Sequence, residues 1–470
     1  MLMLAYWFPP EGNAAVYRPL RFLRNLPSFG WTGRVISTGP HFDRYDPELL
    51  RQVPEGTEII RVPHGDMWQS FQRKRSERRG SIDASDSVAA AVAQPPANGR
   101  AAWREMVRGF VRRAESWRYH PDPQKTWIRP ALDATLASCA RQRPHALWAT
   151  GPPWSSFIVA QRAAQRIGVP YVLDFRTSWT IVPSASEAIR PRWAQKRDQR
   201  LLRELLSGAH AITFFYPAEA ECFWRTYKEA LDVSRIHVIP NGFDGDIEPF
   251  AAPQTDKFTI LYTGTLSDYR YDTFLEALAN LKQRDPSRAE RLAVRFVGET
   301  EPALLANIKS LNLSDIVSTR SPVTHGEVER LQRASHALLM LERSPAHRGH
   351  ELLAGAKLFG YLKAGRPILG VVPRGEAARI LREVGVSTIA DAGSVEAIGA
   401  ALETLLHAWC EGRLSSLVPH PAACARYSAH AQTAGLARAL EGLPPLEPFV
   451  PGASEVVPSL RAHVPTARLA

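Results

Sequence analysis

The feature that most constrains this chain is an alternation that it runs through twice: a short apolar run, then apolar residues at helical spacing, then another apolar run. "LMLAYWF", residues 2–8, reads as a buried strand stopped by Pro9 and Pro10, and from Ala15 the positions Val16, Leu20, Leu23 and Leu26 keep helical spacing. "GRVIST" and "TEIIRV" give two more strands. Strand, helix, strand at this pitch marks a parallel sheet with helices on its faces. The series resumes with "HALWATG", a helix over 155–167, "PYVLDFR", a helix around 192–207, "AHAITFF" and "IHVIPNG". It then starts afresh at "FTILYTG", with a helix over 273–282, "LAVRFVG", a helix near 302–311, "HALLML" and "RPILGVV".

The fold expected from this pattern is α/β, with two Rossmann-like doubly wound domains facing across a cleft. A length of 470 residues exceeds one ordinary core, and an apolar fraction of 45% fills two. The expected domains are 1–248, interrupted by a basic, partly mobile insert at about 64–125, and 249–425. A helix over 426–441 is expected to pack back on the first domain, and 442–470 reads as a loose Pro-rich tail. Ligands of such sheets bind beyond the carboxyl ends of the strands, so the cleft is the expected site.

A formal net charge of +11 points to anionic partners: nucleic acid, phosphorylated small molecules or acidic lipid. No nucleic-acid module is recognisable, which sets nucleic acid last. Cys139, Cys222, Cys410 and Cys424 show no CxxC spacing, so they read as reduced thiols, and no zinc site is expected. The N-terminus has no basic leader and no window approaches 18 uncharged apolar residues, so a soluble or peripheral protein is expected.

Three stretches offer phosphate-type chemistry. In "FPPEGNAAVYR", residues 8–18, a strand passes into a helix whose first N–H groups face outward, and Gly12 lets the backbone approach an anion. A plain strand-to-helix turn explains the same residues. In "LYTGTLSDYRYDTFLEAL", residues 261–278, Gly264, Thr265 and Arg270 converge on a helix start, or Arg270 is a solvated loop residue. In "GHELLAGAKLFGYLKAGRPILG", from 349, Gly355 and Ala356 precede Lys357, a point charge for a phosphate or a surface lysine on an amphipathic helix.

Together these pieces resemble the GT-B glycosyltransferases, specifically the retaining family 4 of bacterial polysaccharide and glycolipid enzymes. The resemblance rests on "YWFPPEGNAAVYRPLRFLRNLPSFGW", "TGPPWSS", "YVLDFRTSW", "VIPNGFD", "LYTGTLSDYRYDTFLEAL" and "AKLFGYLKAGRPIL", in order over about 1–63 and 126–441. It implies transfer of a sugar from a nucleotide-diphosphate sugar to a saccharide or lipid-linked acceptor, with retention, without an essential metal and without a cofactor. The setting implied is exopolysaccharide or cell-envelope glycan synthesis, in the cytoplasm or at the inner face of the plasma membrane. The implied donor residues are Gly12, Asn13, Gly264, Thr265, Arg270, Gly355 and Lys357, with Glu351 a further candidate contact. Asp174 and Arg176 are the implied catalytic pair, or a buried structural pair.

The sequence also departs from the family. Gly360 stands where a glutamate commonly holds the nucleotide ribose, the acid eight residues earlier falls on Leu352, and Trp154 replaces a histidine. A catalytically impaired relative acting as a binding or scaffold subunit, and a sugar-nucleotide epimerase on the same fold, therefore stay as alternatives. Within the insert, Trp103, Met106, Val107, Phe110, Val111 and Trp117 share one helical face, with arginines on the rest. Residues 101–117 thus suit an anionic membrane surface, or simply pack on their own domain.

Overall fold

The computed structural model describes residues 1–39, 45–63, 120–181, 191–266, 269–342 and 349–454. Most of the insert, including 80–99 and the basic stretch 101–117, lies outside the described residues.

The first apolar run is β1 (Leu2–Leu4), and all three of its side chains are fully buried. Burial on both sides follows from its place: β1 pairs in parallel with β2 (Arg34–Thr38) and with β4 (Leu147–Gly151). A strand paired on both edges and covered on both faces reads as an unbroken apolar run. With β3 (Ile59–Val62), β5 (Tyr171–Phe175), β6 (Ala211–Phe214) and β7 (Ile236–Val238), the first sheet runs in the order β3-β2-β1-β4-β5-β6-β7.

The second sheet repeats the scheme. β8 (Phe258–Thr263), β9 (Leu292–Val297), β10 (Val317–Arg320), β11 (Ala337–Leu341), β12 (Ile368–Val371) and β13 (Ile389–Ala390) lie in the order β10-β9-β8-β11-β12-β13. Both are doubly wound orders that reverse direction beside their first strand. Side chains along β8 alternate between two cores: Phe258, Ile260 and Tyr262 join one, and Leu261 joins the other. Two Rossmann-like sheets are thus present.

The helices over Ser155–Ile167, Arg192–Gly208 and Asp272–Arg284 form where the periodicity predicts them. Helix Lys357–Ala364 stops at Gly365, whose φ of +58° and whose closeness to the Glu248 carbonyl (2.0 Å from an added Cβ) both demand glycine.

Contacts divide the chain into two units. Unit 1 comprises Met1–Thr213, Tyr227–His237 and Ala437–Pro444, and unit 2 comprises Phe214–Thr226, Val238–Leu436 and the chain from Pro445. Helix Pro217–Tyr227, which the sequence reading leaves inside 1–248, groups with unit 2 up to Thr226 for visible reasons. The Tyr216 hydroxyl donates to the Ala354 carbonyl at 2.7 Å, and Glu376 Oε1 accepts from the Ala218 N–H at 3.1 Å. The expected loose tail also differs: Phe449 is buried, and Gly452 N–H donates to Glu221 at 2.8 Å, so the chain packs on unit 2 as far as this turn. Among the described residues, no helix is long and apolar enough to cross a membrane.

Candidate functional site

In unit 2 the chain leaves β8 through Gly264 and Thr265. Gly264 has φ +118°, and a Cβ there would lie 2.3 Å from Cε of Lys357. Gly298, just after β9, has φ +146° and packs on the Gly264 carbonyl oxygen, 2.2 Å from an added Cβ. Handedness and space both exclude a side chain at these two positions.

That space carries Lys357, the first residue of helix Lys357–Ala364. Its ammonium donates to the Tyr262 hydroxyl at 2.6 Å and to the Thr265 carbonyl at 3.3 Å. It also sits 3.9 Å from the Tyr269 ring centroid and 4.7 Å from that of Tyr262. Tyr262 donates in turn to the Thr265 carbonyl at 2.9 Å, and burial raises its pKa far above the ordinary tyrosine value, so it stays neutral. The lysine charge is therefore aimed at the turn before any ligand arrives.

The helix is seated firmly. Thr263 N–H donates to the Tyr361 hydroxyl at 3.1 Å, and Gly355 N–H donates to Glu342 Oε1 at 2.8 Å. Beside it lies a cavity of about 300 Å³, lined in part by Glu248, Glu329, Arg333, Lys357, Gly360 and Lys363. Helix His325–Arg333 supplies one wall, where Lys363 pairs with Glu329 at 2.6 Å and Arg333 with Glu248 at 3.0 Å. At Gly360 an added Cβ would meet nothing within 4 Å.

Of the donor residues expected from the sequence, Gly264 and Lys357 line this cavity, while Thr265 and Gly355 flank them. Arg270 is half-buried, its backbone N–H directed at the Glu342 carbonyl at 3.4 Å, and is not among the cavity's lining residues. Nor is Glu351, whose backbone packs where a Cβ on Gly375 would fall, 2.7 Å from its carbonyl oxygen. The tyrosines, Glu342 and Glu329 escape sequence reasoning. The one hint is position, since Tyr262 and Glu342 stand at the ends of strands.

In unit 1, Asn13 accepts from the Ala15 N–H at 2.9 Å and so caps the turn leading into helix Tyr17–Asn25, with Gly12 half-buried before it. Asp174 is fully buried. Its carboxylate accepts from Arg18 Nε at 3.1 Å to both oxygens, from Arg18 Nη2 at 2.8 Å, from Thr150 at 2.7 Å and from Thr213 at 2.5 Å. Thr150, Asp174 and Thr213 stand level across β4, β5 and β6, so one register row supplies the cluster. A carboxylate so engaged anchors strand ends and has no oxygen turned to solvent. Its ion-pair partner is Arg18, not Arg176.

Arg176 is half-buried, donates to the Pro152 carbonyl and lies 5.6 Å over the Trp7 ring. Burial lowers its pKa to about 10, with Asp174 opposing and Arg18 adding, so it is charged at neutral pH. Trp154, in the place of the expected histidine, stacks on Trp179 with centroids 4.4 Å apart and planes 4° from parallel. Both rings are buried. The substitution thus fills space with a second indole.

Residues 15–242 match the family described as glycosyl transferase 4-like domain. A D-inositol 3-phosphate glycosyltransferase from Frankia alni is 28% identical over 213 residues, covering 41% of this chain and 50% of the relative. The chain thus spans about half the length of the curated relatives it matches. Among solved structures, Anabaena Alr3699/HepE in complex with UDP superposes with a TM-score of 0.58 at 13% identity, covering 94% of this chain and 99% of that one. Sucrose-phosphate synthase from Thermosynechococcus elongatus superposes with a TM-score of 0.57 at 13% identity, covering 93% and 97%.

Proposed function

We propose that this chain, whose residues 15–242 match the glycosyl transferase 4-like domain and whose fold superposes on solved glycosyltransferase-like structures, moves a sugar from a nucleotide-diphosphate sugar to a saccharide or lipid-linked acceptor. The reading includes retention at the anomeric carbon, no essential metal, and a place in cell-envelope or exopolysaccharide synthesis on the cytoplasmic side. The observation that carries it is Lys357: a lysine held at a helix N-terminus over a glycine turn, beside a cavity of nucleoside size.

As the sugar–phosphate bond breaks, the diphosphate gains negative charge. A preset ammonium and the positive dipole end of a helix stabilise that charge without reorganising, and losing one such donor typically costs on the order of 3 kcal/mol of barrier. Thr265 and Gly355 belong to the same diphosphate subsite, with Arg270 and Glu351 as outlying donor contacts. Gly12, Asn13 and Arg176 are the proposed contributions of unit 1, and Asp174 acts as a positioning residue that holds Arg18 and the strand ends.

The test is incubation with a panel of sugar nucleotides, with and without lipid-linked and free saccharide acceptors. Acceptor-dependent release of nucleoside diphosphate, lost in Lys357→Ala, supports the reading. Release with an altered sugar and no acceptor makes the protein an epimerase. No turnover and no nucleotide binding makes it an impaired relative, a reading that the missing side chain at Gly360 favours.

A further inference from the structure

Gly360 leaves no side chain on the wall of a cavity that Glu248, Glu329, Arg333, Lys357 and Lys363 help to line. Its neighbours on the same helical face, Lys357 and Lys363, both line that cavity, and an added Cβ at Gly360 would enter open space. Glu329 of helix His325–Arg333 lines the same cavity and reaches Lys363, one turn from Gly360, at 2.6 Å. Resting on the nucleotide-sugar reading above, we infer that Glu329 is the acceptor for the donor's ribose hydroxyls, supplied from the facing helix in place of a side chain at Gly360.

A carboxylate is an acceptor only, with lone pairs enough to keep Lys363 and take hydroxyl protons as well. Vicinal 2′ and 3′ hydroxyls are two donors side by side, so a carboxylate matches them. Glu329 is only partly exposed and holds its charge: burial opposes ionisation, but the Lys363 hydrogen bond and charge, with His325 and Arg333, outweigh it. Glu248 also lines the cavity, but its carboxylate is bound to Arg333 of helix His325–Arg333, whereas that of Glu329 is bound to Lys363 of the helix that Lys357 opens. Lys357 fixes where the diphosphate lies, and the ribose is the next group along. Glu329 is therefore the better placed of the two acids.

The test is calorimetric titration of the full chain with UDP, GDP and ADP and with their 2′-deoxy counterparts. The wild type is expected to prefer the ribonucleotide by about tenfold or more, the range of one hydrogen bond to a charged group. Glu329→Gln should collapse that ratio toward one, and Gly360→Glu in that background should restore it. Lys363→Met breaks the same ion pair but leaves the carboxylate, so it should keep the preference, as should Glu248→Gln. A ratio unchanged in Glu329→Gln, or lost in Glu248→Gln instead, overturns the inference while leaving the nucleotide reading intact. No binding of any nucleotide by the wild type overturns both.

Discussion

β5 in unit 1 and β8 in unit 2 stand at different positions in two sheets of the same winding, and their ends use charge in opposite ways. At β5 the Asp174 carboxylate is closed off by three hydrogen bonds from Arg18 and one from each of two threonines. At β8 the Lys357 ammonium is held by a hydroxyl, a carbonyl and aromatic faces. A buried pair neutralises itself and leaves nothing for a ligand. The Lys357 ammonium is held in place at a glycine turn beside a cavity.

The largest expected effect is on the closed side. Asp174→Asn leaves Arg18 charged and buried without its partner, and denaturant unfolding should show a loss of about 3–5 kcal/mol. Replacing both residues by leucine should recover most of it, because the pair's desolvation cost goes too. If the single variant unfolds like the wild type, the anchor role fails.

A second effect belongs to unit 1 as well. His237 is buried, and burial first, with Arg438 and His210, lowers its pKa to about 4. The unfolded chain therefore takes up a proton below about pH 6.5 that the folded chain refuses until about pH 4. Stability from this group is complete above pH 6.5 and falls by about 3 kcal/mol toward pH 4, at 1.36 kcal/mol per unit. Unfolding measured across that range should flatten in His237→Gln.

On the open side the effects are smaller on stability and larger on binding. Gly264→Ala must strain a left-handed backbone and push Lys357 aside, so we expect a loss of about 1–3 kcal/mol and a weakened nucleotide response. Lys357→Ala should leave the midpoint of unfolding nearly unchanged while lowering transfer by about a hundredfold or more, read as kcat. Trp154→His restores the family's residue but gives up the stack on Trp179, worth about 1 kcal/mol in denaturant unfolding beyond the buried area lost.

Periodicity and turn chemistry carry most of the fold, because both sheets are built from short buried runs that alternate with amphipathic helices. The helix at 155–167 and the strands from "LMLAYWF" to "RPILGVV" are local events, legible from spacing alone. Lys357 and Gly264 were legible for the same reason, since a glycine turn and a helix start are sequence-local. The partners were not. Arg18 meets Asp174 from 156 residues away, Lys357 meets Tyr262 from 95, and Glu329 meets Lys363 from the preceding helix. Register and topology decide those pairs, and no spacing encodes them.

The measurement that bears most directly on the central claim is thermal unfolding of the full chain with millimolar UDP, GDP, dTDP and ADP, beside Lys357→Ala. Nucleotide at about 100 times its dissociation constant stabilises the native state by about 2.7 kcal/mol, a visible shift of midpoint. The account predicts that at least one nucleotide raises the wild-type midpoint and that the variant loses the shift. Equal shifts in the two proteins, or none in either, would contradict it.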